Sequence, residues 1–400
     1  MVTSTLPETR LPPVPGPQFP QNGRQLRIIE MAESLAEIAA RNAPEHDRDN
    51  TFPHDTFQAL IDAGYHTLTI PEQMGGMGAT ALETMMAQER LARGDGSVAL
   101  AICMHLGHIY GVATSEEWPE DLRQQVIAQV VNEGGLYNTA ASEPGLGSPS
   151  RGGFFATTAE RTDDGCWRLN GRKTWTTLAP ALHWAGVGAT ITENGEPVEM
   201  VNFLVPMDAD GVEIDETWDN MSMSATGSHD LVLTDVVVPD SHRLPVSGKP
   251  SNSPWSILTT PVYLGVGVAA RDFTIAFAKT RKPAAMGGET IATLPNVQQR
   301  VADIELKLLA ARSTLYGAVQ QWEDHPEQRD ELGWQLAGAK VLVTNNVIDI
   351  TDQALRIVGA AGLQRKHPLE RYFRDARAGL GNPPFDDVAT GIIGKAILDQ

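Results

Sequence analysis

Midway along the chain the hydrophobic period changes and then changes back, and that alternation limits the folds open to it. Residues 25–40 place Leu26, Ile29, Met31, Leu35 and Ile38 mainly three and four positions apart, the spacing of an amphipathic helix. Pro53 in the first turn and Gly64 beyond the last bracket a second helix. The runs 81–91 and 97–110 predict two more, so the chain reads as all-helical to about residue 130. From Tyr137 to Val246 short β-rich runs take over, broken by glycine, aspartate and proline: 167–171, 201–206 and the partly alternating 231–239. The helical period returns over 262–280, 297–322, 331–358 and a closing helix at 383–398. Residues 245–254 hold three prolines and a glycine and mark the second boundary. The chain therefore divides into a helical domain over 22–134, a β-domain over 135–246 that is a small barrel or sandwich, and a helical bundle over 254–400. This is an α+β organisation.

Composition narrows the class of protein. The hydrophobic and charged fractions, 42% and 20%, are those of an ordinary globular chain. No apolar run approaches the roughly 20 residues that span a bilayer, and the proline-rich start, 1–21, has no signal-peptide core. A cytoplasmic protein without a membrane partner is expected. Its formal charge of −19 repels phosphate backbones and argues against nucleic acid as partner. Any anionic ligand must be held by local cations and amides. Two cysteines, Cys103 and Cys166, make no disulfide framework and read as buried small hydrophobes. His105 and His108 lie three apart on a helix, but without an acid or cysteine at ligand spacing they predict no metal.

Two segments carry more than fold. The first is Ala140-Ala141-Ser142-Glu143-Pro144-Gly145-Leu146-Gly147-Ser148, and the second is Leu169-Asn170-Gly171-Arg172-Lys173-Thr174-Trp175-Thr176-Thr177. Upstream stand Phe52-Pro53, Ala63-Gly64-Tyr65, the glycine-rich run 70–78, and Glu89-Arg90-Leu91-Ala92-Arg93-Gly94-Asp95-Gly96-Ser97. Together these resemble the acyl-CoA dehydrogenase family over nearly the whole chain. The resemblance implies an acyl-CoA dehydrogenase-like fold with a C-terminal four-helix bundle, bound FAD and a homotetramer. By the same resemblance Ser142, Gly147 and Ser148 sit against the flavin and the acyl thioester, Trp175 packs beside the isoalloxazine, and Thr177 bonds its N5 edge. Fixed donors of this kind stabilise a ring that becomes electron-rich on reduction. Arg281-Lys282 resembles the basic pair that reaches the cofactor pyrophosphate of a neighbouring subunit. Arg356 and Gly359 lie in a run similar to the family's cofactor loop, with arginine in place of glutamine.

The resemblance also implies a reaction, α,β-dehydrogenation of an acyl-CoA with hydride transfer to flavin N5, and an electron-transfer flavoprotein or O2 as acceptor. Such chemistry needs a carboxylate to remove the α-proton. Counting from Arg374-Asp375-Ala376, the position of the usual glutamate holds Pro383, and the alternative position, aligned on Gly265 and Gly267, holds Ile257. Neither takes a proton. Asp386 or Asp387 could replace the glutamate, or serve only as favourable carboxylates at a helix start. Alternatively the Arg374-Asp375-Ala376-Arg377 context and the 225–230 run resemble the monooxygenases and oxidases of this fold acting on a small organic substrate, with His105, His108 or His229 as the group that manages the flavin peroxide. A third reading is a subunit without its own base, paired with a catalytic homologue.

Overall fold

In a computed structural model the described residues are 19–145, 153–244 and 252–398. Helix α1, Gly23–Asp49, starts where the Asn22 side chain accepts from Gln25 N. It runs beyond the predicted end, through Pro44, and stops at Asn50 in the left-handed region. Proline removed one hydrogen bond but not the helix, because Ala39 and Ala43 keep the apolar stripe buried across it. Helix α2, His54–Asp62, follows Pro53, and Gly64 at φ +74° turns the chain behind it. Thr80 and Glu83 cap each other's backbone N–H to open α3, Ala81–Ala92. Asp95 caps Ser97 at the start of α4, Gly96–Thr114. Helix α5, Glu120–Glu133, closes this part and ends on Gly134 at φ +73°.

Helix α4 qualifies the membrane expectation, being long and apolar enough by composition to cross a bilayer. It lies instead in the protein core, where Val98, Ile102, Leu106 and Ile109 are fully buried.

The β-part is one continuous eight-stranded mixed sheet. Its strands are β1 (Tyr137–Ala140), β2 (Thr158–Arg161), β3 (Trp167–Lys173), β4 (Trp184–Glu193), β5 (Glu196–Pro206), β6 (Val212–Asp215), β7 (Asp230–Val238) and β8 (Arg243–Leu244). The order is β6-β7-β3-β2-β4-β5-β8, and β1 pairs in parallel with β4 beside its first four residues, ahead of β2 at Thr190 and Ile191. Trp167, Leu169, Val187, Phe203 and Val236 make a core of the sheet's own. Cys166, expected inside, stands half-buried in the turn before β3, where its N–H and Asp164 shape the turn.

The C-terminal helices are α6 (Thr260–Thr280), α7 (Pro295–Asp324), α8 (Gly333–Val358), α9 (Leu369–Ala378) and α10 (Asp386–Ile397). Four of them were predicted, but α10 begins only after Pro383 and Pro384. Helix α9 escaped the periodicity because its inward face is partly charged: Arg371 and Asp375 are 5% and 1% exposed. The first and last helical parts share one core, joining Ile28, Leu82 and Leu106 to Val262, Leu308 and Val347. A smaller cluster of Ile109, Val126, Tyr137, Trp184 and Leu204 ties α4 and α5 to the sheet. Glu89, fully buried on α3, accepts from Arg90 at 2.9 Å and is also bonded by Tyr316 and Arg312 of α7.

Helices α3 and α6 cross closely at Gly265, where an added Cβ would lie 2.4 Å from the Glu89 carbonyl oxygen and 2.7 Å from the Ala92 Cβ. Alanine is the better helix former by about 1 kcal/mol, yet here it forces two backbones apart. Gly265→Ala is therefore expected to destabilise the protein by about 1–3 kcal/mol in urea unfolding, and a stabilised variant would disprove this contact.

Candidate functional site

The two segments singled out in the sequence meet. The Thr174 N–H donates to the Ser142 carbonyl at 2.9 Å, and one residue away on each side Lys173 Nζ reaches Glu143 Oε1 at 2.6 Å. Both charged side chains are buried, at 0% and 1% exposure. The Glu143 carboxylate also accepts the N–H groups of Ala156 and Thr157 and the Thr157 hydroxyl. Burial pushes its pKa up, but these donors and Lys173 take it below its ordinary value. Lys173 is less well served. Burial pushes its pKa down to about 8 against the pull of Glu143, and its other neighbour is the Phe155 ring, 4.3 Å from the ammonium.

This anchor fixes a turn. Thr176 N–H donates to the His229 carbonyl, Thr177 N–H to the Trp175 carbonyl, and Leu178 N–H to the Thr226 carbonyl. Trp175 is held at φ +59°, in the left-handed region that branched and bulky residues avoid. Trp175 is 62% exposed, and its indole meets that of Trp218 edge to face, with ring centroids 5.0 Å apart at 76°. A large aromatic side chain kept outside the core on strained backbone is a constraint that packing within the chain does not explain. Behind it runs a chain of hydroxyls. Thr177 Oγ1 lies 2.9 Å from Ser228 Oγ, which lies 2.8 Å from Thr226 Oγ1, and Thr226 donates to the Met223 carbonyl. Asn138 Nδ2 donates to the Thr177 carbonyl from β1. The Thr176 hydroxyl is fully buried without a hydrogen-bond partner among the described residues. An exposed indole wall, a row of hydroxyls and an orphaned buried oxygen on one turn fit a flat ligand with polar edges.

The other expected residues are distributed differently. Ser142 is half-buried in the anchor, while Gly147 and Ser148 lie outside the described residues. Arg281 follows α6 and Arg356 ends α8, both exposed, with Gly359 at φ +68° just beyond. They adjoin the small cluster of Ala270, Phe277, Ala354 and Val358 on the bundle and share no hydrogen bond with the cradle among the described residues. Asp386 and Asp387 open α10. Asp386 bonds Asn345 at 2.9 Å and pairs with Lys340 at 3.4 Å, and Asp387 caps Val388 N–H. Asp386 thus ties the first turn of α10 to α8, and Asp387 is an exposed carboxylate in that turn. Pro383 is exposed in the preceding loop and Ile257 is 1% exposed in the turn before α6.

The histidines separate cleanly. His105 accepts the Tyr137 N–H on Nδ1 and bonds the His66 carbonyl through Nε2, and burial pushes its pKa down to about 3. It is a satisfied core residue. His229 Nδ1 accepts from Trp218 N–H. His108 is half-buried on α4, its Nε2 3.1 Å from Thr139 Oγ1 on β1, with a pKa lowered by burial to about 4. No group of three metal-binding side chains occurs among the described residues. Sequence reasoning overlooked Lys173, Asn138, Thr139, Trp218 and Ser228. Their only signal was adjacency to the motifs, since Lys173 precedes Thr174 and Ser228 lies in the Ala225-Thr226-Gly227-Ser228-His229-Asp230 run.

Comparison with known proteins agrees with this architecture. The acyl-CoA dehydrogenase N-terminal domain family matches residues 23–131, the middle domain family 138–236 and the C-terminal domain family 257–381. The chain is 42% identical to the "Putative acyl-CoA dehydrogenase YdbM" of Bacillus subtilis (strain 168), covering 92% of this chain and 96% of that protein. It is 29% identical to the amino sugar nitrososynthase DnmZ of Streptomyces peucetius, covering 92% and 91%. The solved structure of KijD3 with FMN and a dTDP-linked amino-keto sugar superposes with a TM-score of 0.82 at 26% identity, covering 95% of each chain.

The anchor's role can be measured. Lys173→Ala leaves a buried carboxylate unpaired and is expected to cost about 3–5 kcal/mol in urea unfolding, whereas the double replacement Glu143→Gln with Lys173→Met recovers most of it. Equal losses in the single and double variants would show that the pair is incidental.

Proposed function

The chain belongs to the acyl-CoA dehydrogenase family, and from that premise we propose a flavin-dependent oxidoreductase that oxygenates a small organic molecule. The observation that carries the reading is chemical. The two positions at which the family resemblance expects a proton-abstracting carboxylate hold Pro383 and Ile257, while of the nearby carboxylates Asp386 is held by Asn345 and Lys340 of α8 and Asp387 is exposed on the first turn of α10. Without that base, α,β-dehydrogenation of an acyl thioester lacks its first step. The amino sugar nitrososynthase relative supports the same direction, toward an electron-rich heteroatom as the group oxidised, and KijD3, solved with FMN and an amino-keto sugar, supports a flavin beside a small polar ligand.

A bound flavin would supply two-electron exchange with substrate and dioxygen. The chain supplies the rest. Trp175 walls one side of the cradle, and Ser142, Thr177 and Ser228 offer fixed polar groups along its edge. His108 is the imidazole available to move a proton. Its lowered pKa keeps it neutral at pH 7, able to accept at nitrogen while Thr139 holds the ring. Arg281, Arg356 and Gly359 would hold the pyrophosphate of FAD, supplied across a homotetramer. Exposed apolar side chains on α10, Val388, Ile392 and Ile397, support association of the C-terminal helices.

Two experiments test this reading. The purified flavoprotein, mixed without oxygen with a panel of acyl-CoA thioesters, is expected to keep its oxidised spectrum. Supplied with a flavin reductase, NADH and 18O2, it is expected to place labelled oxygen in organic amine or sulfide substrates. Anaerobic bleaching by an acyl-CoA at turnover rates would instead establish dehydrogenation. Separately, Arg281→Gln is expected to weaken FAD binding roughly tenfold through one lost charge-assisted contact. FMN binding should be unchanged, and equal weakening of both flavins would remove Arg281 from the pyrophosphate site.

A further inference from the structure

Trp218 presents a problem of placement. It is half-buried on a connection, residues 216–222, in which every other residue is exposed or half-buried, yet among the described residues its ring is the one that packs against Trp175. Its position comes from its backbone N–H, which donates to His229 Nδ1, and from its indole N–H, which donates to the Met223 carbonyl at 3.1 Å. The Met223 carbonyl also accepts from Thr226 Oγ1, the inner end of the hydroxyl row. One peptide group thus sets both the aromatic wall and the hydroxyls. Met223 itself stands at φ +53°, a region a linear side chain seldom adopts. Something outside the loop must hold it there.

That hold comes from α9. Asp375 Oδ1 accepts the Met223 N–H at 2.8 Å, and Arg374 Nη1 donates to the Met221 carbonyl at 2.6 Å. Arg374 is braced by Asp47 of α1 at 2.6 Å and by Glu370 at 2.8 Å. Asp375 is 1% exposed and its second oxygen has no hydrogen-bond partner among the described residues. As mere packing between α9 and the sheet, a buried carboxylate is a poor choice, since an apolar side chain would cost less. As the acceptor for a single N–H in strained backbone it is well suited.

We propose that Arg374 and Asp375 are positioning residues that set the Trp175–Trp218 wall and the Thr226–Ser228–Thr177 hydroxyls through Met223, an inference that rests on the flavin reading above for its functional consequence. The helical bundle thereby reaches the cradle through the 221–223 backbone. Removing the acceptor frees the Met223 N–H, so the strained φ and ψ at its Cα relax and the Met223 carbonyl, on the next peptide group, turns away from the Trp218 indole and the Thr226 hydroxyl. Asparagine keeps a carbonyl oxygen at the same place. Burial already pushes the Asp375 carboxyl up to about 7, so a neutral isostere is compatible with the site.

The test uses the full-length apoprotein with FMN and FAD as probes. The signal of the aromatic pair is isolated as the circular-dichroism difference between wild type and Trp175→Phe. Asp375→Ala is expected to abolish that difference and to weaken binding of the preferred flavin on the order of tenfold. Asp375→Asn is expected to restore both. In a double-mutant cycle Asp375→Ala and Trp218→Phe should be non-additive for flavin affinity, because each breaks the same chain of contacts. A folded Asp375→Ala protein with the wild-type couplet and affinity, or strictly additive effects, overturns the inference. Should Asp375→Ala not fold, Arg374→Gln takes its place, with the same loss expected and an unchanged couplet decisive against it. Wild-type protein that binds neither flavin would overturn the functional reading, while the couplet still decides the positioning role.

Discussion

Glu143 and Lys173, an ion pair with almost no exposed surface, join two stretches 30 residues apart, and the site is built outward from that contact. A buried pair is weak evidence for stability, because two desolvated charges must recover what water gave them. It does fix relative position. With the carboxylate saturated by Ala156, Thr157 and Lys173, the neighbouring Ser142 carbonyl and Thr174 N–H are brought to hydrogen-bonding distance. The turn that follows has little freedom, and its left-handed Trp175 follows from those restraints. Specific placement outweighs net stabilisation here.

What the sequence disclosed depended on whether a signal was local. Pro53 and Gly64 bracketed α2 because the constraints they impose act within one turn, and the capped start of α3 is written in Thr80 and Glu83. The two motif segments were legible as types of residue. Their meeting was not, since Thr174 to Ser142 is a long-range bond with no periodic trace. Helix α9 was missed for a related reason. Its Arg371 and Asp375 are buried, so hydropathy reads the inner face as an outer one. Trp218 was equally silent, a single aromatic residue in a polar run whose importance comes from Met223 and α9. Strand order had no local signal either: β1 and β2 share one edge of β4 although Thr158 is far along the chain from Tyr137.

The candidate carboxylates illustrate how residue type misleads when context is absent. Asp386 and Asp387 follow two prolines and precede an apolar run, a pattern that a helix start explains as well as a catalytic loop. Asn345, Lys340 and the Val388 N–H take up their oxygens. The histidines repeat the lesson in reverse. Three looked equivalent along the chain, yet His105 has both ring nitrogens bonded to backbone, and only His108 combines partial exposure with a hydroxyl partner on β1.

The cradle and the position of the missing base lie on separate parts of the fold. The first is carried by the ends of β1 and β3 with the turn before β7. The second falls in the loop between α9 and α10 at Pro383, or in the turn before α6 at Ile257. A change at either of those places leaves the Ser142–Thr174 bond and the hydroxyl row untouched. Helix α9 bridges the two parts, its Arg374 and Asp375 holding the 221–223 backbone eight residues before the chain reaches Pro383. Helix α4 does so as well, stacking Tyr110 on Trp255 before α6 while His108 meets Thr139 on β1. The fold can therefore keep the geometry that exchanges electrons with a flat ligand while losing the carboxylate that selects a carbon–hydrogen bond. Proline and isoleucine at the base positions are tolerated because nothing in the cradle's hydrogen bonding passes through them. By that logic the proposed oxygenation asks for no new fold, and the His108 proposed to move its proton stands on α4 against Thr139 of β1.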